Sequence, residues 1–382
     1  MGRDGVSGDR QSFASWLSVG HSSAVDLTYF TDLITSIEPV DGDAAQAAMA
    51  HHLQLTKPPG SLGQLEDLGV QLSAIGGSPV PPAPEPAAIA VFAGDHGVLA
   101  EGVSPWPQEV TTQMVMNFCA GGAAINAIAE ANDIRVKVVN AGVAGDLPDH
   151  PNLLNKPIRK GTANLLTEPA MTRDDAVNAI LLGAGVAAEL IDDGARCLLT
   201  GDMGIGNTTP SATIIAALTN SAAAEITGRG TGIDDATLAL KTRVVNDALA
   251  RVSHVENLTA VDLLAEVGGL EIAALCGFCL GAAANKVPLI VDGVIALAGA
   301  LTAVTLAPNV LGYLIAGHRS VEPAASAALH RMGLDPLIDL HLRLGEGSGA
   351  ALAYPLVRAA AKVMSDMATF ESAGIDGSEP GE

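Results

Sequence analysis

Aromatic residues are scarce in this chain: Phe, Trp and Tyr together account for only 3% of its 382 residues. A folded core must therefore be filled by small and aliphatic side chains, which the 48% of hydrophobic residues can supply. The 42 glycines favour tight turns between strands and helices. The length exceeds that of a typical compact domain, so we expect one large domain and a smaller one.

Positively charged residues are also few: the chain has 20 Lys and Arg but 42 Asp and Glu, and its formal net charge is −22. A protein that binds nucleic acid neutralises phosphates with clustered Lys and Arg, so we expect no nucleic-acid partner. The same acidity disfavours binding to an anionic membrane surface. Its ordinary consequence is solubility, and a cell with high internal salt is the alternative explanation.

Cysteines number only four. Cys276 and Cys279 form a lone C-x-x-C, but the surrounding LEIAALCGFCLGAAA predicts a buried helix. That setting favours structural thiols over a redox turn or a zinc knuckle. The opening MGRDGVSGDRQSF is polar and has no apolar targeting segment, so we expect a cytoplasmic protein with reduced thiols.

One stretch without charge, residues 293–317, is long enough to cross a bilayer. Pro308, Asn309 and Gly312 interrupt it, and Asp292 directly precedes it. These breaks favour a buried helix, a loop and a buried strand over a membrane span. We therefore expect no membrane association.

A change in amino-acid composition divides the chain into two parts. A Pro-rich linker over residues 78–86 cannot hold regular structure and predicts a domain boundary. The predicted division is a flexible tail over residues 1–25, a small helical domain from 26–77 and 350–375, a large α/β catalytic domain over 87–349, and a flexible tail over 376–382.

After the linker, short apolar runs end in glycine or an acid, and helical stretches follow them. These runs are 88–97, 136–142, 197–204, 261–269, 288–293, 313–318 and 338–347. Uninterrupted apolar strands indicate a sheet covered on both faces, and their alternation with helices indicates parallel βαβ units. The fold class is therefore α/β, a Rossmann-like parallel sheet flanked by helices. In such sheets ligands bind at the carboxyl ends of the strands.

Two glycine-rich segments at or beyond these ends are candidate anion sites. In GDMGIGNTTPS, glycines including Gly204 and Gly206 let backbone N–H groups approach a ligand, and Asn207 and Thr208 can begin a helix. A tight turn with a capped helix is an equal alternative. In GRGTGID, Arg229 within the segment and Lys241 downstream of it could neutralise a phosphate, although either could be a surface charge.

Two further segments carry candidate chemistry. Glu346 lies between glycines in RLGEGSG, where a carboxylate set in a pocket could act as a base, or be an ordinary loop acid. The segment 92–108 combines Asp95, His96, Ser104, Gln108 and Trp106, which suits a planar ligand or an ordinary surface loop. No His or Cys cluster has ligand spacing, so we expect no metal.

Together and in order, ten segments resemble the nicotinate-nucleotide–dimethylbenzimidazole phosphoribosyltransferases of cobalamin biosynthesis. They are TKPPGSLGQLE (56–66), FAGDHGV (92–98), EGVSPWPQEVT (101–111), GGAAIN (121–126), GDMGIGNTT (201–209), GRGTG (228–232), VGGLEIAAL (267–275), DG (292–293), GHRS (317–320) and RLGEGSGAALA (343–353). The resemblance covers the chain from about residue 30 to residue 375. It implies a Rossmann-like sheet, a small helical domain built from both chain ends, and a homodimer.

This resemblance implies transfer of ribose 5-phosphate from nicotinate mononucleotide to 5,6-dimethylbenzimidazole, giving α-ribazole 5′-phosphate and nicotinate, with no cofactor. It implies that Glu346 is the catalytic base. The residues expected to bind substrate are Arg343 and Leu344 beside both substrates, Asp202, Gly204, Gly206, Asn207, Thr208 and Lys241 at the nucleotide, and Ser104 and Gln108 near the benzimidazole. The family usually has Glu at the position of Asp202, so a direct contact there could be lost or bridged by water.

Two other functions remain open from the sequence. A phosphoribosyltransferase of this fold could use another acceptor, adenine or a phenol, because acceptor choice depends on pocket shape. A non-catalytic nucleotide-binding sensor is the other alternative, and the intact RLGEG segment disfavours it.

Overall fold

The structure is a computed structural model that describes residues 27–376. Its centre is a sheet of six parallel strands in the order β3-β2-β1-β4-β5-β6. The strands are β1 Ala87–Gly94, β2 Ile134–Gly142, β3 Leu153–Asn155, β4 Cys197–Met203, β5 Leu289–Val291 and β6 Leu314–Ala316. Helices flank the sheet, which confirms the predicted α/β class. The predicted tails lie outside the described residues, apart from residue 376.

The helices connect and cover the strands. Before β1 they are Leu27–Thr35, Gly42–His52 and Gln64–Gly76; between β1 and β4 they are Glu109–Cys119, Ala124–Ala131 and Arg173–Asp192. Between β4 and β5 they are Thr208–Thr219, Ala223–Ile226, Asp235–Val252, Ala260–Val267 and Leu270–Ala284; after β5 they are Val294–Leu306, Pro323–Met332, Ser348–Asp366 and Phe370–Ala373. Short 3₁₀ helices span Gly97–Glu101 and Pro308–Tyr313.

Side chains of β1 point alternately into two hydrophobic layers, as a central strand requires. Ala88, Ala90 and Phe92 join the layer that contains the helix Leu270–Ala284. Ile89, Val91 and Ala93 join the opposite layer, which contains the helix Ser348–Asp366. Burial on both faces explains why the strands are continuously apolar.

The helices Arg173–Asp192 and Leu270–Ala284 approach each other closely through glycines. A Cβ on Gly183 would lie 1.8 Å from the carbonyl oxygen of Ala274, and one on Gly277 would lie 1.7 Å from that of Ile180. Close packing of small residues therefore fills this part of the core, where aromatic side chains are few. Cys276 and Cys279 are free and buried on this second helix, as predicted.

Two apolar runs predicted as strands are not strands. Residues 261–269 mostly form the helix Ala260–Val267, because the Thr259 hydroxyl accepts the Asp262 amide and starts a helix there. Residues 338–347 run without regular structure, and only an isolated bridge joins Ile338 to His318. The short strand Leu153–Asn155, by contrast, was not predicted.

The uncharged stretch 293–317 forms the helix Val294–Leu306, the 3₁₀ turn and the buried strand β6, as predicted. By length and hydropathy alone, residues 109–131 could cross a membrane, but the chain turns at 120–123 and divides them into two helices. The helix Gln64–Gly76 packs against Ser348–Asp366, so both chain ends meet. The division into a small and a large domain stays a prediction.

Candidate active site

A cavity of about 690 Å³ opens at the carboxyl ends of β4, β5 and β6. Its lining comes from the loops after these strands, from the loop 228–232 and from the segment 341–346. Seven of the predicted site residues line it: Asp202, Gly204, Asn207, Thr208, Arg343, Leu344 and Glu346. The expectation that ligands bind at the carboxyl ends of the strands therefore locates most of the candidate site.

Glu346 is held in an unusual backbone conformation at the cavity wall. Its φ is 62°, between Gly345 at 81° and Gly347 at 88°. A left-handed conformation costs a non-glycine residue roughly 1–2 kcal/mol, so neighbouring contacts must hold it. One is the backbone N–H of Ile125, which donates to Glu346 Oε2 at 3.1 Å. Burial raises the pKa of Glu346, the Ile125 N–H lowers it, and the charge of Asp292 raises it.

Asp292 follows β5 and fixes the loop that carries Glu346. Its Oδ2 accepts the N–H of Gly347 at 3.2 Å, and its Oδ1 accepts the N–H of Ala350 at 2.9 Å. The side chain is fully buried, with His318 Nε2 3.4 Å from Oδ1. The buried carboxylate thus ties the end of β5 to the start of the helix Ser348–Asp366.

Asp202 is the penultimate residue of β4 and lines the same cavity. Its Oδ2 accepts from the Asn207 side chain at 3.0 Å, whereas its buried Oδ1 has no hydrogen-bond partner. Burial raises the pKa of Asp202 well above its ordinary value, and the nearby Asp292 adds to this shift. This side of the cavity therefore holds a carboxyl group with a free oxygen.

Lys241 lies directly behind the cavity wall. Its Nζ donates to Thr208 Oγ1 at 2.7 Å and to the Gly228 carbonyl at 3.1 Å. Burial lowers the pKa of Lys241 to about 8, and the charge of Glu322 opposes this shift. Thr208 begins the helix Thr208–Thr219, so a buried cation and a helix N-terminus meet at this end.

An apolar wall forms the other side of the cavity. Trp106, Val110 and Met114 repeat every four residues and line it together with Ile205 and Leu344. Trp106 and Leu344 remain 50% and 55% exposed at its rim. This surface has the apolar character that suits a bicyclic aromatic ring.

Four predicted site residues do not line the cavity: Ser104, Gln108, Gly206 and Lys241. The Ser104 hydroxyl instead accepts the N–H of Trp106 at 3.2 Å. Gln108 precedes the helix Glu109–Cys119 without capping it. Gly206 makes the left-handed turn before Asn207 with a φ of 88°.

His96 forms a buried ion pair rather than a site for a metal. Its Nε2 lies 2.7 Å from Glu271 Oε1, and both side chains are fully buried. Burial opposes a charge on the imidazole, but the Glu271 carboxylate outweighs it and raises the pKa of His96. Across residues 27–376, no group of three or more His, Cys, Asp or Glu is placed to hold a metal ion.

Three polar residues of the cavity wall were not among the predicted site residues: His318, Ser320 and Glu322. The first two lie in the segment GHRS, and from the sequence His318 could either meet an anion or lie at the surface. All three are buried, while Arg319 and Val321 between them are exposed. The alternation of buried and exposed positions in H-R-S-V-E is the signal that could have revealed them, because it is typical of an extended segment.

Several known proteins are similar to this chain in sequence and in fold. A phosphoribosyltransferase family matches residues 37–375. The nicotinate-nucleotide–dimethylbenzimidazole phosphoribosyltransferase of Salinispora tropica is 51% identical over 354 residues, which cover 89% of this chain and 97% of the relative. The enzyme of that name from Geobacter metallireducens is 47% identical, covering 92% and 99%.

A solved structure agrees with these relatives. The crystal structure of the nicotinate-nucleotide–dimethylbenzimidazole phosphoribosyltransferase from Thermus thermophilus superposes with a TM-score of 0.84 at 46% identity. The match covers 88% of this chain and 99% of that one. The chain therefore belongs to the nicotinate-nucleotide–dimethylbenzimidazole phosphoribosyltransferase family.

Proposed function

We propose that this enzyme transfers ribose 5-phosphate from nicotinate mononucleotide to 5,6-dimethylbenzimidazole, releasing nicotinate and forming α-ribazole 5′-phosphate. The observation that carries the proposal is the position of Glu346, a buried carboxylate at the wall of a cavity that has an apolar side and a side formed by a helix N-terminus with Lys241 behind it. Membership of the family supports the same reaction.

The donor binds with its phosphate toward Thr208, Gly230 and Lys241. Backbone N–H groups at the start of the helix Thr208–Thr219 attract the phosphate, and Lys241 adds a positive charge behind them. Nicotinate leaves from a positively charged pyridinium, so the departing ring becomes neutral without further help. Positive charge builds on the ribose, and the buried carboxylate of Asp292 lies at this end of the sheet to offset it. Burial raises the pKa of Asp202, and this carboxyl group presents its free Oδ1 to the nucleotide.

The acceptor lies against Trp106, Val110 and Met114. Glu346 takes the N–H proton of the benzimidazole as the other ring nitrogen attacks C1′ of the ribose. Its raised pKa makes Glu346 a stronger base than an ordinary glutamate. Attack from the face opposite nicotinate converts a β-nucleotide into an α-nucleotide.

Other features of the proposal follow from the resemblance. We infer that the enzyme is a homodimer and builds the lower ligand of cobalamin. A location in the cytoplasm is a separate inference, from the free and buried cysteines. Ser104 and Gln108 neighbour the apolar wall without lining it, so we propose that neither contacts the acceptor and that Ser104 supports Trp106.

A product assay tests this function. The purified full chain is incubated with nicotinate mononucleotide and 5,6-dimethylbenzimidazole, and products are separated by chromatography and identified by mass. We expect α-ribazole 5′-phosphate and nicotinate in equal amounts. Product with adenine or a phenol, but not with the benzimidazole, would correct the acceptor. Nucleotide binding without transfer to any acceptor would contradict the proposed function and favour a sensor.

A further inference from the structure

A single hydroxyl joins two parts of the apolar wall of the cavity. Val110 and Met114 belong to the helix Glu109–Cys119, whereas Ile205 lies in the loop after β4. The Thr111 hydroxyl, on that helix, accepts the N–H of Ile205 at 3.1 Å. Thr111 is fully buried and does not line the cavity, so it can act on a ligand only through the residues that do.

A buried carboxyl group, Asp95, neighbours this hydroxyl. Asp95 follows β1 and is 1% exposed, and its Oδ2 accepts the N–H of Ala144, beyond β2, at 2.8 Å. Its Oδ1 is buried without a hydrogen-bond partner. Burial raises the pKa of Asp95, whereas the Ala144 N–H and the Thr111 hydroxyl lower it. Thr111 accepts with its oxygen and keeps its own proton to donate, and Asp95 is the buried acceptor beside it.

These contacts connect the ends of two strands to the wall of the cavity. They run from Ala144 through Asp95 and Thr111 to Ile205. We propose that Thr111 is a positioning residue for the acceptor: its hydroxyl, held by Asp95, fixes Ile205 against the helix Glu109–Cys119 and so sets the shape of the apolar wall. This proposal rests on the proposed function, because that function places the benzimidazole against this wall.

The base and the phosphate end are held by other contacts. The Ile125 N–H donates to Glu346 at 3.1 Å, and Lys241 donates to Thr208 at 2.7 Å. Thr111 takes part in neither hydrogen bond. A change at Thr111 should therefore weaken binding of the acceptor and leave the donor and the base in place.

Two substitutions separate the hydroxyl of Thr111 from its methyl group. Thr111→Val keeps the shape of the side chain but leaves the buried Ile205 N–H without its acceptor, so that segment of the wall must shift. Thr111→Ser keeps the hydroxyl and removes the methyl group. Thr112→Val is the matched control, since it makes the same change at the next position of the helix, which is less buried and does not line the cavity.

Calorimetric titration measures acceptor and donor binding separately. In Thr111→Val, we expect 5,6-dimethylbenzimidazole to bind about tenfold more weakly, as the loss of a buried hydrogen bond requires. The affinity for nicotinate mononucleotide should stay within about twofold, because its contacts are independent of this residue. Thr111→Ser and Thr112→Val should match the wild type in both titrations.

Steady-state rates distinguish positioning of the acceptor from a direct role in the reaction. In Thr111→Val, the KM for the acceptor should rise, whereas turnover at saturating acceptor should fall by less than about threefold. A residue that acted on the base would lower turnover instead.

Asp95→Asn provides a second test that leaves Thr111 intact. The single amide oxygen can accept from only one of its two neighbours, the Ala144 N–H and the Thr111 hydroxyl. We expect a smaller loss of acceptor affinity, about threefold, with donor affinity unchanged. Thermal unfolding checks that every variant is folded at the temperature of the titration.

Three results would overturn the proposal. One is unchanged acceptor affinity in Thr111→Val or, should that variant not fold, in Asp95→Asn. Another is an equal loss for acceptor and donor. The third is a loss in Thr111→Ser as large as in Thr111→Val, because the methyl group and not the hydroxyl would then matter. Failure of the proposed function shows separately, as absence of α-ribazole 5′-phosphate from the wild-type product assay, and the titrations then use the acceptor that the wild type does convert.

Discussion

Replacing Asp292 with Asn should weaken both the fold and the reaction. Asp292 accepts two backbone N–H groups, from Gly347 at 3.2 Å and from Ala350 at 2.9 Å. An Asn side chain offers one oxygen and must turn an NH₂ group toward the other buried N–H. Losing one charge-assisted bond and weakening the second should cost on the order of 2–4 kcal/mol of unfolding free energy.

The same change should reduce turnover because Asp292 fixes the loop of Glu346. With one bond gone, the left-handed backbone of residues 345–347 can relax and shift the carboxylate. A displacement of about 1 Å in a catalytic group can cost on the order of 10²-fold in rate. Asp292 also raises the pKa of Glu346, so the acid limb of the rate profile should move to lower pH in the variant.

Urea unfolding and steady-state rates across pH measure these effects. Asp366→Asn, at the far end of the helix Ser348–Asp366, is the matched control, since Asp366 is exposed. If Asp292→Asn unfolded at the wild-type midpoint and kept turnover within about twofold, the reasoning about this loop would be refuted.

Three further predictions concern buried groups. Lys241→Met should raise the KM for the donor about tenfold or more. In the wild type, the KM for the donor should increase when the pH exceeds about 8, because Lys241 then loses its proton; initial rates measure both effects. Gly277→Ala should destabilise the fold by more than about 2 kcal/mol, measured by urea unfolding, because its Cβ would meet the Ile180 carbonyl. Glu271→Gln should lower stability by about 3 kcal/mol by leaving His96 without its charged partner; an unchanged melting temperature would contradict this.

The sheet could be predicted because its strands are covered on both faces and read as uninterrupted apolar runs. The same feature explains the mistake at residues 261–269, since a buried helix has the same composition as a buried strand. The prediction of a strand over residues 338–347 was wrong for another reason. A strand needs a neighbouring strand to pair with, and the sequence does not show that the sheet ends at β6.

The candidate site was predictable where glycines and single acids mark strand ends, as at Asp202 and Glu346. It was not predictable where the direction of a side chain decides whether that side chain lines the cavity. Trp106, Val110 and Met114 line the cavity, while Ser104 and Gln108 beside them do not. Trp106 was among the predicted candidates, and the spacing of four residues between Val110 and Met114, typical of one helix face, was the available signal for those two.

Contacts between residues that are far apart in the chain could not be predicted from the sequence. His96 and Glu271 are 175 residues apart in the chain, and no local pattern links them. The contact between the Ile125 N–H and Glu346, 221 residues apart, is of the same kind. Only the folded sheet brings these groups together.

The most direct test of Glu346 as the base is turnover of Glu346→Gln. Gln keeps the size and can still accept the Ile125 N–H, but it cannot take a proton. We expect turnover to fall on the order of 10² to 10⁴-fold while calorimetric binding of nicotinate mononucleotide changes little. Glu130→Gln, exposed on the helix Ala124–Ala131, should match the wild type. Near wild-type turnover in Glu346→Gln would remove Glu346 from this role and contradict the mechanism.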